Sequence, residues 1–168
     1  MTTTIGLISD THGLLRPEVF AHFAGVEHIV HAGDVGRADL LAELEALAPV
    51  TAVWGNVDGW EIRHRVPEVA RVELGGVRVA VMHGQQVGSP TPLRMVALLP
   101  DAELVVFGHS HRAVVQKVGA VWAVNPGSAG PARFGATPTL AVAELRPGEV
   151  RVEVIELGEP RAAKRTPD

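Results

Sequence analysis

The sequence contains no cysteine among its 168 residues. Disulfides, thiolate metal ligands and a cysteine nucleophile are therefore all excluded. An excess of basic residues is also absent, because 15 Lys and Arg stand against 19 Asp and Glu, which gives a net charge of −4. Duplex nucleic acid and anionic membranes bind to surfaces with a positive field, so we expect neither as a partner.

Long hydrophobic runs are missing as well. No apolar stretch approaches the ~18 residues of a membrane helix. The run Ile5 to Ile8 near the amino terminus is four residues long and has no basic flank, so it does not resemble a signal peptide. We expect a soluble cytoplasmic protein with a small-molecule partner, and the composition leaves a homo-oligomer open.

The chain is long enough for one domain. A 46% hydrophobic content over 168 residues supports one sizeable hydrophobic core, and the chain is too short for two domains that each have such a core. We expect a single domain over residues 1–157. Residues 158–168 are rich in Pro, Ala and charge, and we expect a disordered tail there.

In the first third of the chain, short apolar runs alternate with segments in which apolar residues recur at helical spacing. This alternation predicts βαβ units. Strands are expected at residues 4–9, 27–31 and 50–54, with helices at 16–23 and 37–48. Beyond residue 60 the pattern is that of hairpins. It predicts a hairpin over 69–74 and 77–82, a helix at 90–99, a buried strand at 103–107, and antiparallel strands of a second sheet or an edge at 113–117, 121–124, 139–145 and 150–157.

Polar residues follow five of the apolar runs, at the point where each run ends. They are Asp10 and His12, Asp34, Asn56, His83, and the pair His109 and His111. The carboxyl ends of strands in open α/β sheets form ligand sites, so we expect these side chains to meet. Oxygen and imidazole ligands suit Mn, Fe, Zn, Co or Ni, and seven ligands exceed the need of one ion. The pattern predicts two divalent cations that share a carboxylate and clamp a phosphoryl displacement.

Taken singly, most of these residues have a structural alternative. Asp34 is placed to cap the following helix, Asn56 is an ordinary turn residue, and a lone His83 is typical of a hydrogen-bonded buried histidine. The pair His109 and His111 favours a metal, because two imidazoles on the same side of a strand repel when protonated unless a cation replaces the protons. Their coincidence at successive strand ends favours one common site.

The remaining histidines lack this placement. We interpret His22, His28 and His64 as surface or packing residues. The role of His31 stays open, since it lies close enough to Asp34 in the sequence to contact that predicted ligand without binding a metal itself.

Five short motifs follow one another along the chain. They are Asp10-Thr11-His12, Gly33-Asp34, Gly55-Asn56-Val57-Asp58, His83-Gly84 and Gly108-His109-Ser110-His111. In this order they resemble the signature of the calcineurin-like metallophosphoesterases, and most of all that of their small single-domain prokaryotic phosphodiesterases. The resemblance extends from Ile5 to Ser128 and includes the late turn Asn125-Pro126-Gly127-Ser128. It implies a four-layer α/β/β/α sandwich of two mixed β-sheets.

The resemblance also implies a role for each motif residue. Asp10, His12 and His111 would hold a first metal, Asn56, His83 and His109 a second, and Asp34 would bridge the two. We hypothesise a phosphodiesterase in which a metal-bound hydroxide attacks phosphorus, with Asp34, Asn56, His83 and His109 at the catalytic centre and manganese as the favoured ion. Candidates for binding the substrate phosphate are Arg16, Arg112 and Arg133.

One position departs from the wider family, whose members often have a histidine directly after the motif asparagine. Here that residue is Val57, which can neither donate nor accept a proton. The small phosphodiesterases commonly lack this histidine too. A general acid typically contributes about 10²- to 10⁴-fold, so we expect good leaving groups to be preferred. Asp58, Ser110 or a metal-bound water are candidates to replace it.

The alternative function is a non-catalytic protein-interaction scaffold. The scaffold subunit of the retromer coat resembles this family, and a chain of this length has little room for a substrate-recognition insert. A protein that serves only as a scaffold has no need to keep its metal-binding histidines, however, and here none of the seven predicted ligands is missing. We therefore favour the enzyme. A duplex-DNA nuclease is disfavoured by the acidic balance.

Overall fold

The computed structural model describes residues 1–133 and 135–158, and within them the chain forms ten strands and four α-helices. In chain order these are β1 (Thr3–Ile8), α1 (Pro17–His22), β2 (His28–His31), α2 (Ala38–Glu45), β3 (Val50–Ala52), α3 (Trp60–Arg65), β4 (Val69–Leu74), β5 (Val77–Met82), α4 (Pro92–Leu98), β6 (Leu104–Val106), β7 (Val114–Val118), β8 (Val121–Asn125), β9 (Thr139–Arg146) and β10 (Glu149–Glu156). Apart from Gly158, the predicted tail lies outside the described residues. None of the described helices is long and apolar enough to cross a membrane.

The strands form two mixed sheets of five. The first has the order β10-β9-β1-β2-β3, in which β1, β2 and β3 are parallel and β9 runs antiparallel to both of its neighbours, β1 and β10. The second has the order β4-β5-β6-β8-β7, with β5, β6 and β8 parallel and antiparallel strands at both edges. The five predicted motifs directly follow β1, β2, β3, β5 and β6, which are all parallel strands within their sheets.

Three apolar clusters separate four layers. The outer face of the first sheet is covered by the first three helices and the segments that follow them, which contribute Phe23, Leu44 and Ile62. Side chains such as Leu7 and Val81 fill the space between the sheets. On the outer face of the second sheet, α4 buries Met95 and Leu99 against Val105 and Phe107. The α/β/β/α sandwich implied by the sequence resemblance is therefore confirmed.

Two details differ from the sequence expectations. Helix α3 was not predicted, because only Ile62 among its six residues is buried and so short a helix shows no apolar period. The late strands are also not all antiparallel members of a second sheet. Strand β8 runs parallel to β6, and β9 returns to pair with β1 of the first sheet. Alternation predicts a strand but does not specify its partner.

Candidate metal centre

Two clusters of carboxylate and imidazole groups lie where the five parallel strands end. One contains Asp10, His12 and His111, and the other contains Asp34, His83 and His109; within each cluster the potential ligand atoms lie within 4.8 Å of one another. Asn56 lies beside the second cluster, since its Oδ1 is 3.1 Å from His109 Nδ1. The structure thus brings all seven predicted residues together, in the grouping that the resemblance implies. Their role as ligands stays a prediction.

The two carboxylates lie between the imidazole rings. Asp10 Oδ1 is 3.1 Å from His111 Nε2 and 3.7 Å from His83 Nε2. Asp34 Oδ2 is 3.1 Å from His83 Nε2 and 4.0 Å from His12 Nε2. Each carboxylate therefore reaches a histidine of both clusters, so the distances fit a shared carboxylate, and it is the sequence resemblance that assigns this role to Asp34.

Two buried atoms of this centre have no hydrogen-bond partner among the described residues: Asp10 Oδ1 and His83 Nε2. Asp34 Oδ2 lies within ion-pair distance of His83 Nε2, at 3.1 Å. Nε2 atoms of His12 and His111 also face each other at 3.3 Å. Buried polar atoms are normally paired, and unpaired oxygen and nitrogen atoms that converge are what divalent cations satisfy. The residues present therefore fit a two-cation site.

The backbone is strained at the predicted ligands. In the described part of the chain, the non-glycine residues with positive φ are Asp10 (53°), His12 (47°), Asp34 (54°), His109 (71°) and His111 (60°). Each such residue costs on the order of 1–3 kcal/mol and persists where its surroundings enforce it, which is typical of functional sites. All five belong to the predicted ligand set, so the strain coincides with the site.

The sequence pattern predicts that His109 and His111 lie on a strand, but in the structure they do not. Both residues occupy a left-handed turn after β6, and they join different clusters. Ring centroids are 5.3 Å apart for His12 and His111, and 5.3 Å apart for His83 and His109. The expectation that the two residues alternate on a strand was wrong, although both imidazoles reach the centre, as expected.

Hydrogen bonds orient the side chains of the centre. His83 Nδ1 lies 2.7 Å from the carbonyl oxygen of Ala32, which can only accept, so Nδ1 carries the proton and Nε2 is free to bind a cation. Asp34 Oδ1 accepts the Val57 N–H at 3.0 Å. Asp10 Oδ2 accepts from the Ser9 hydroxyl and the His109 N–H, which leaves Oδ1 directed at the histidines.

The late turn that resembles the family sequence supports two of the loops. Asn125 is buried, and its Nδ2 donates to the carbonyl of Gly108 and to Ser110 Oγ, both at 3.0 Å. Ser128 Oγ donates to the carbonyl of Asp10 at 3.0 Å. This turn therefore holds the loop after β6 and the loop after β1 together, as its predicted position near the site suggests.

Asp58 has a structural role that the sequence reasoning missed. Its buried carboxylate accepts the N–H groups of Val35, Gly36 and Gly55 at 2.9–3.1 Å, which ties the loop after β2 to the loop after β3. This engagement leaves Asp58 poorly placed to protonate a leaving group. Asp34 is not a helix cap, because the N-cap of α2 is Arg37.

The electrostatics of the centre favour an ion pair between Asp34 and His83. Burial acts against the charged imidazole, but Asp34 and Asp10 outweigh it and raise the pKa of His83. Burial acts to raise the pKa of Asp34, but His83 and the Val57 N–H outweigh it and lower that pKa. Burial is also the main reason that the pKa values of His12 and His109 are lowered. A cation that binds His83 must displace a proton, so its affinity falls as the pH falls.

His31 is fully buried behind the loops that carry Asp10, His12 and Asp34. Burial lowers the pKa of His31 from 6.5 to about 4, although Asp58 and Asp10 oppose the shift. The unfolded chain therefore binds the extra proton between these two pKa values, and the free energy of unfolding decreases as the pH falls from about 6.5 to 4. We expect a loss of about 2–3 kcal/mol from this group between pH 7.5 and 4.5.

Urea unfolding of the chelator-treated protein at these two pH values checks this prediction. His31→Asn cannot titrate, so its stability should depend less on pH than that of the wild type by the same 2–3 kcal/mol. Equal losses in the two proteins would show that His31 does not titrate in this range.

Comparisons with known proteins give the class to which this site belongs. Residues 3–148 match the family model described as "Calcineurin-like phosphoesterase superfamily domain". The chain is 36% identical over 166 residues to a probable metallophosphoesterase of Methanothermobacter thermautotrophicus, which covers 93% of this chain and 94% of the relative. The chain therefore belongs to the calcineurin-like phosphoesterase superfamily, and the resemblance inferred from the five motifs is confirmed.

Two further comparisons match proteins that align with this chain over nearly their full length. It is 27% identical over 169 residues to a phosphodiesterase of Methanocaldococcus jannaschii, with 90% of this chain and 99% of the relative covered. A solved structure of a Vps29 single mutant from Entamoeba histolytica superimposes with a TM-score of 0.75 and covers 93% of this chain and 100% of that one. Its sequence identity is 21%, so this similarity concerns the fold alone.

Proposed function

We propose that this metallophosphoesterase is a phosphodiesterase that uses two divalent cations to hydrolyse a small phosphoester. The observation that carries the proposal is the convergence of seven oxygen and nitrogen ligands around the unpartnered Asp10 Oδ1 and His83 Nε2. The phosphodiesterase of Methanocaldococcus jannaschii, which aligns over nearly its full length, supports the diester specificity. A cytoplasmic location and a homo-oligomer stay predictions.

Each cluster would hold one cation. Asp10, His12 and His111 would bind the first, Asn56, His83 and His109 the second, and Asp34 would be shared between them. When bound, such a pair lowers the pKa of water to near neutrality and offsets negative charge on the phosphate oxygens. Manganese is the ion we favour, and Fe, Zn, Co and Ni accept the same ligands.

The protein's own residues orient this centre and bind the substrate. Asp34 is held by the Val57 N–H, so its other oxygen keeps one direction. Among the three candidate arginines, Arg133 has the strongest support, because its positive charge is close enough to act on a predicted ligand. Burial lowers the pKa of His12, and the charge of Arg133 adds to this effect. Arg133 also lines a recess together with His111. Arg16 donates twice to the Gly130 carbonyl, which engages its guanidinium in the fold.

Val57 should make the reaction strongly dependent on the leaving group. Its side chain is 55% exposed beside the centre, where it can supply no proton. We expect aryl phosphodiesters to be hydrolysed far faster than alkyl ones. We expect Val57→His to raise kcat/KM for alkyl diesters by at least about tenfold, which is less than the roughly 10²- to 10⁴-fold of an optimally placed general acid. Aryl diesters, whose leaving groups need no proton, should change little.

A series of diesters of graded leaving-group pKa measures this dependence. Val57→Asn is the matched control, because it adds a polar group that cannot titrate. An equal response of aryl and alkyl diesters to Val57→His would contradict the assignment of position 57.

The experiment that tests the proposed function is a phosphoester panel. Chelator-treated protein is reloaded with Mn²⁺, Fe²⁺, Zn²⁺, Co²⁺ or Ni²⁺ in turn and assayed on activated phosphodiesters and phosphomonoesters. We expect diester hydrolysis with at least one ion, at a rate above that of the matched monoester. If no ion supported hydrolysis of any activated diester, the scaffold alternative would be favoured instead.

A further inference from the structure

The hydrogen bonds of His31 fix every proton in its surroundings. The Gly33 N–H donates to His31 Nδ1 at 3.1 Å, so Nδ1 carries no proton. Nε2 therefore carries it and donates to Thr11 Oγ1 at 2.9 Å. The Thr11 hydroxyl in turn donates to the carbonyl of Val35 at 2.9 Å. One neutral imidazole thus connects the loop after β1 with the loop after β2 in a fully satisfied, fully buried network.

These two loops carry ligands of different clusters. The loop after β1 supplies Asp10 and His12, and the loop after β2 supplies Asp34. The N–H of Asp10 donates to the Gly33 carbonyl and that of His12 to the Asp34 carbonyl, both at 3.0 Å. All three ligands have positive φ, so the loops keep these conformations only because their surroundings enforce them. The imidazole of His31 bonds to Thr11 of the first loop and Gly33 of the second, and so supports the direct bond from the Thr11 hydroxyl to the Val35 carbonyl.

We propose that His31 is a positioning residue that sets the spacing between the two cation positions by fixing the Thr11 and Gly33 peptide segments relative to each other. The proposal rests on the proposed two-cation site. His31 does not reach a cation itself, because both of its ring nitrogens are engaged. Its contribution is to hold Asp10 and His12 at a fixed distance from Asp34, so that the shared carboxylate can serve both clusters.

The chain contains a matched control at the other end of the same strand. His28 Nε2 lies 2.8 Å from Thr51 Oγ1, which is the same imidazole–threonine pairing at the amino end of β2, remote from the site. His28→Leu and His31→Leu therefore remove the same chemistry from one strand, and only the second removes it beside the ligands.

The test measures Mn²⁺ binding by calorimetry and the magnetic coupling of the bound ions by electron paramagnetic resonance. In the wild type we expect two Mn²⁺ ions per chain with a coupled spectrum. In His31→Leu we expect binding to weaken by about tenfold, as is typical when groups behind metal ligands are lost, and the coupled signal to diminish. His28→Leu should stay within about twofold of the wild type, well below that loss.

Smaller substitutions keep the test decisive if His31→Leu does not fold. His31→Asn retains an acceptor for the Gly33 N–H and loses the bond to Thr11, while Thr11→Val removes the hydroxyl alone. Both should weaken Mn²⁺ binding by several-fold, less than the roughly tenfold expected for His31→Leu because each keeps part of the network, and Thr11→Ser should restore it. Wild-type affinity and an unchanged spectrum in both His31→Asn and Thr11→Val would overturn the proposal.

These readouts need no substrate, so they separate this proposal from the proposed function. If the loaded wild type hydrolyses no diester but the His31 variants lose affinity and coupling, the function fails and the positioning role stands. If the wild type binds fewer than two ions, the two-cation site fails, and the role of His31 fails with it.

Discussion

Replacing Asp34 by asparagine is expected to lower kcat/KM for phosphodiester hydrolysis by about 10³-fold, equivalent to about 4 kcal/mol of transition-state stabilisation. Asp34 Oδ2 reaches His83 at 3.1 Å and His12 at 4.0 Å, and we propose it as the carboxylate that serves both clusters. Asparagine keeps the shape and can still accept the Val57 N–H that Asp34 Oδ1 accepts. It removes the negative charge, and the chain should remain folded.

The measurement compares steady-state kinetics on an activated diester with circular dichroism of the same preparations. Asp39→Asn is the matched control, because Asp39 is an exposed aspartate on α2 that pairs with Arg37. It should retain wild-type activity. If Asp34→Asn kept more than about a tenth of the wild-type activity, a loss of under about 1.4 kcal/mol, the shared-carboxylate assignment would be wrong.

Replacing Gly55 by alanine is expected to destroy the second cluster. A Cβ at Gly55 would collide with Asp34 Oδ1 and with the Asp34 backbone nitrogen, so this carboxylate would have to leave its place. Overpacking of this kind costs about 2–3 kcal/mol of stability. We expect Mn²⁺ affinity to fall by at least 10²-fold, beyond the roughly 10- to 100-fold typical of lost supporting contacts, because a ligand itself is displaced.

Gly59 provides the control in the same loop. A Cβ at Gly59 meets no atom within 4 Å, and its φ of −81° suits any residue. Gly59→Ala changes only the N-cap of α3 and should cost under about 1 kcal/mol with Mn²⁺ affinity unchanged. Thermal unfolding and Mn²⁺ titration of both variants check the contrast. Equal effects of the two substitutions would show that the close approach to Asp34 does not matter.

The convergence of the predicted ligands could be foreseen because strand ends are visible in the sequence. The runs before Asp10, Asp34 and His83 are apolar and short, and parallel strands bring their carboxyl ends to one edge. The motifs include Gly33, Gly55 and Gly108, which each directly precede a predicted ligand, and the structure supplies the physical reason for a glycine there. At Gly108, a Cβ would collide with Ser9 Oγ and lie 2.5 Å from Asp10 Oδ2.

The supporting residues could not be predicted, because their roles depend on contacts between distant segments. Asp58 resembles a turn residue in the sequence, and only the fold shows that it accepts N–H groups from two loops. His31 was left open for the same reason: its partners Thr11 and Gly33 lie on different loops. The left-handed backbone at His109 and His111 is equally invisible in the sequence, and the expectation built on a strand failed there.

The central claim is that the loops after β1, β2, β3, β5 and β6 form a site for two cations. Equilibrium dialysis of the chelator-treated wild type against Mn²⁺, followed by elemental analysis, tests it most directly. Our account predicts two ions per chain in the wild type and fewer than two in Asp34→Asn. A wild type that saturates at one ion per chain, or binds none, would contradict it.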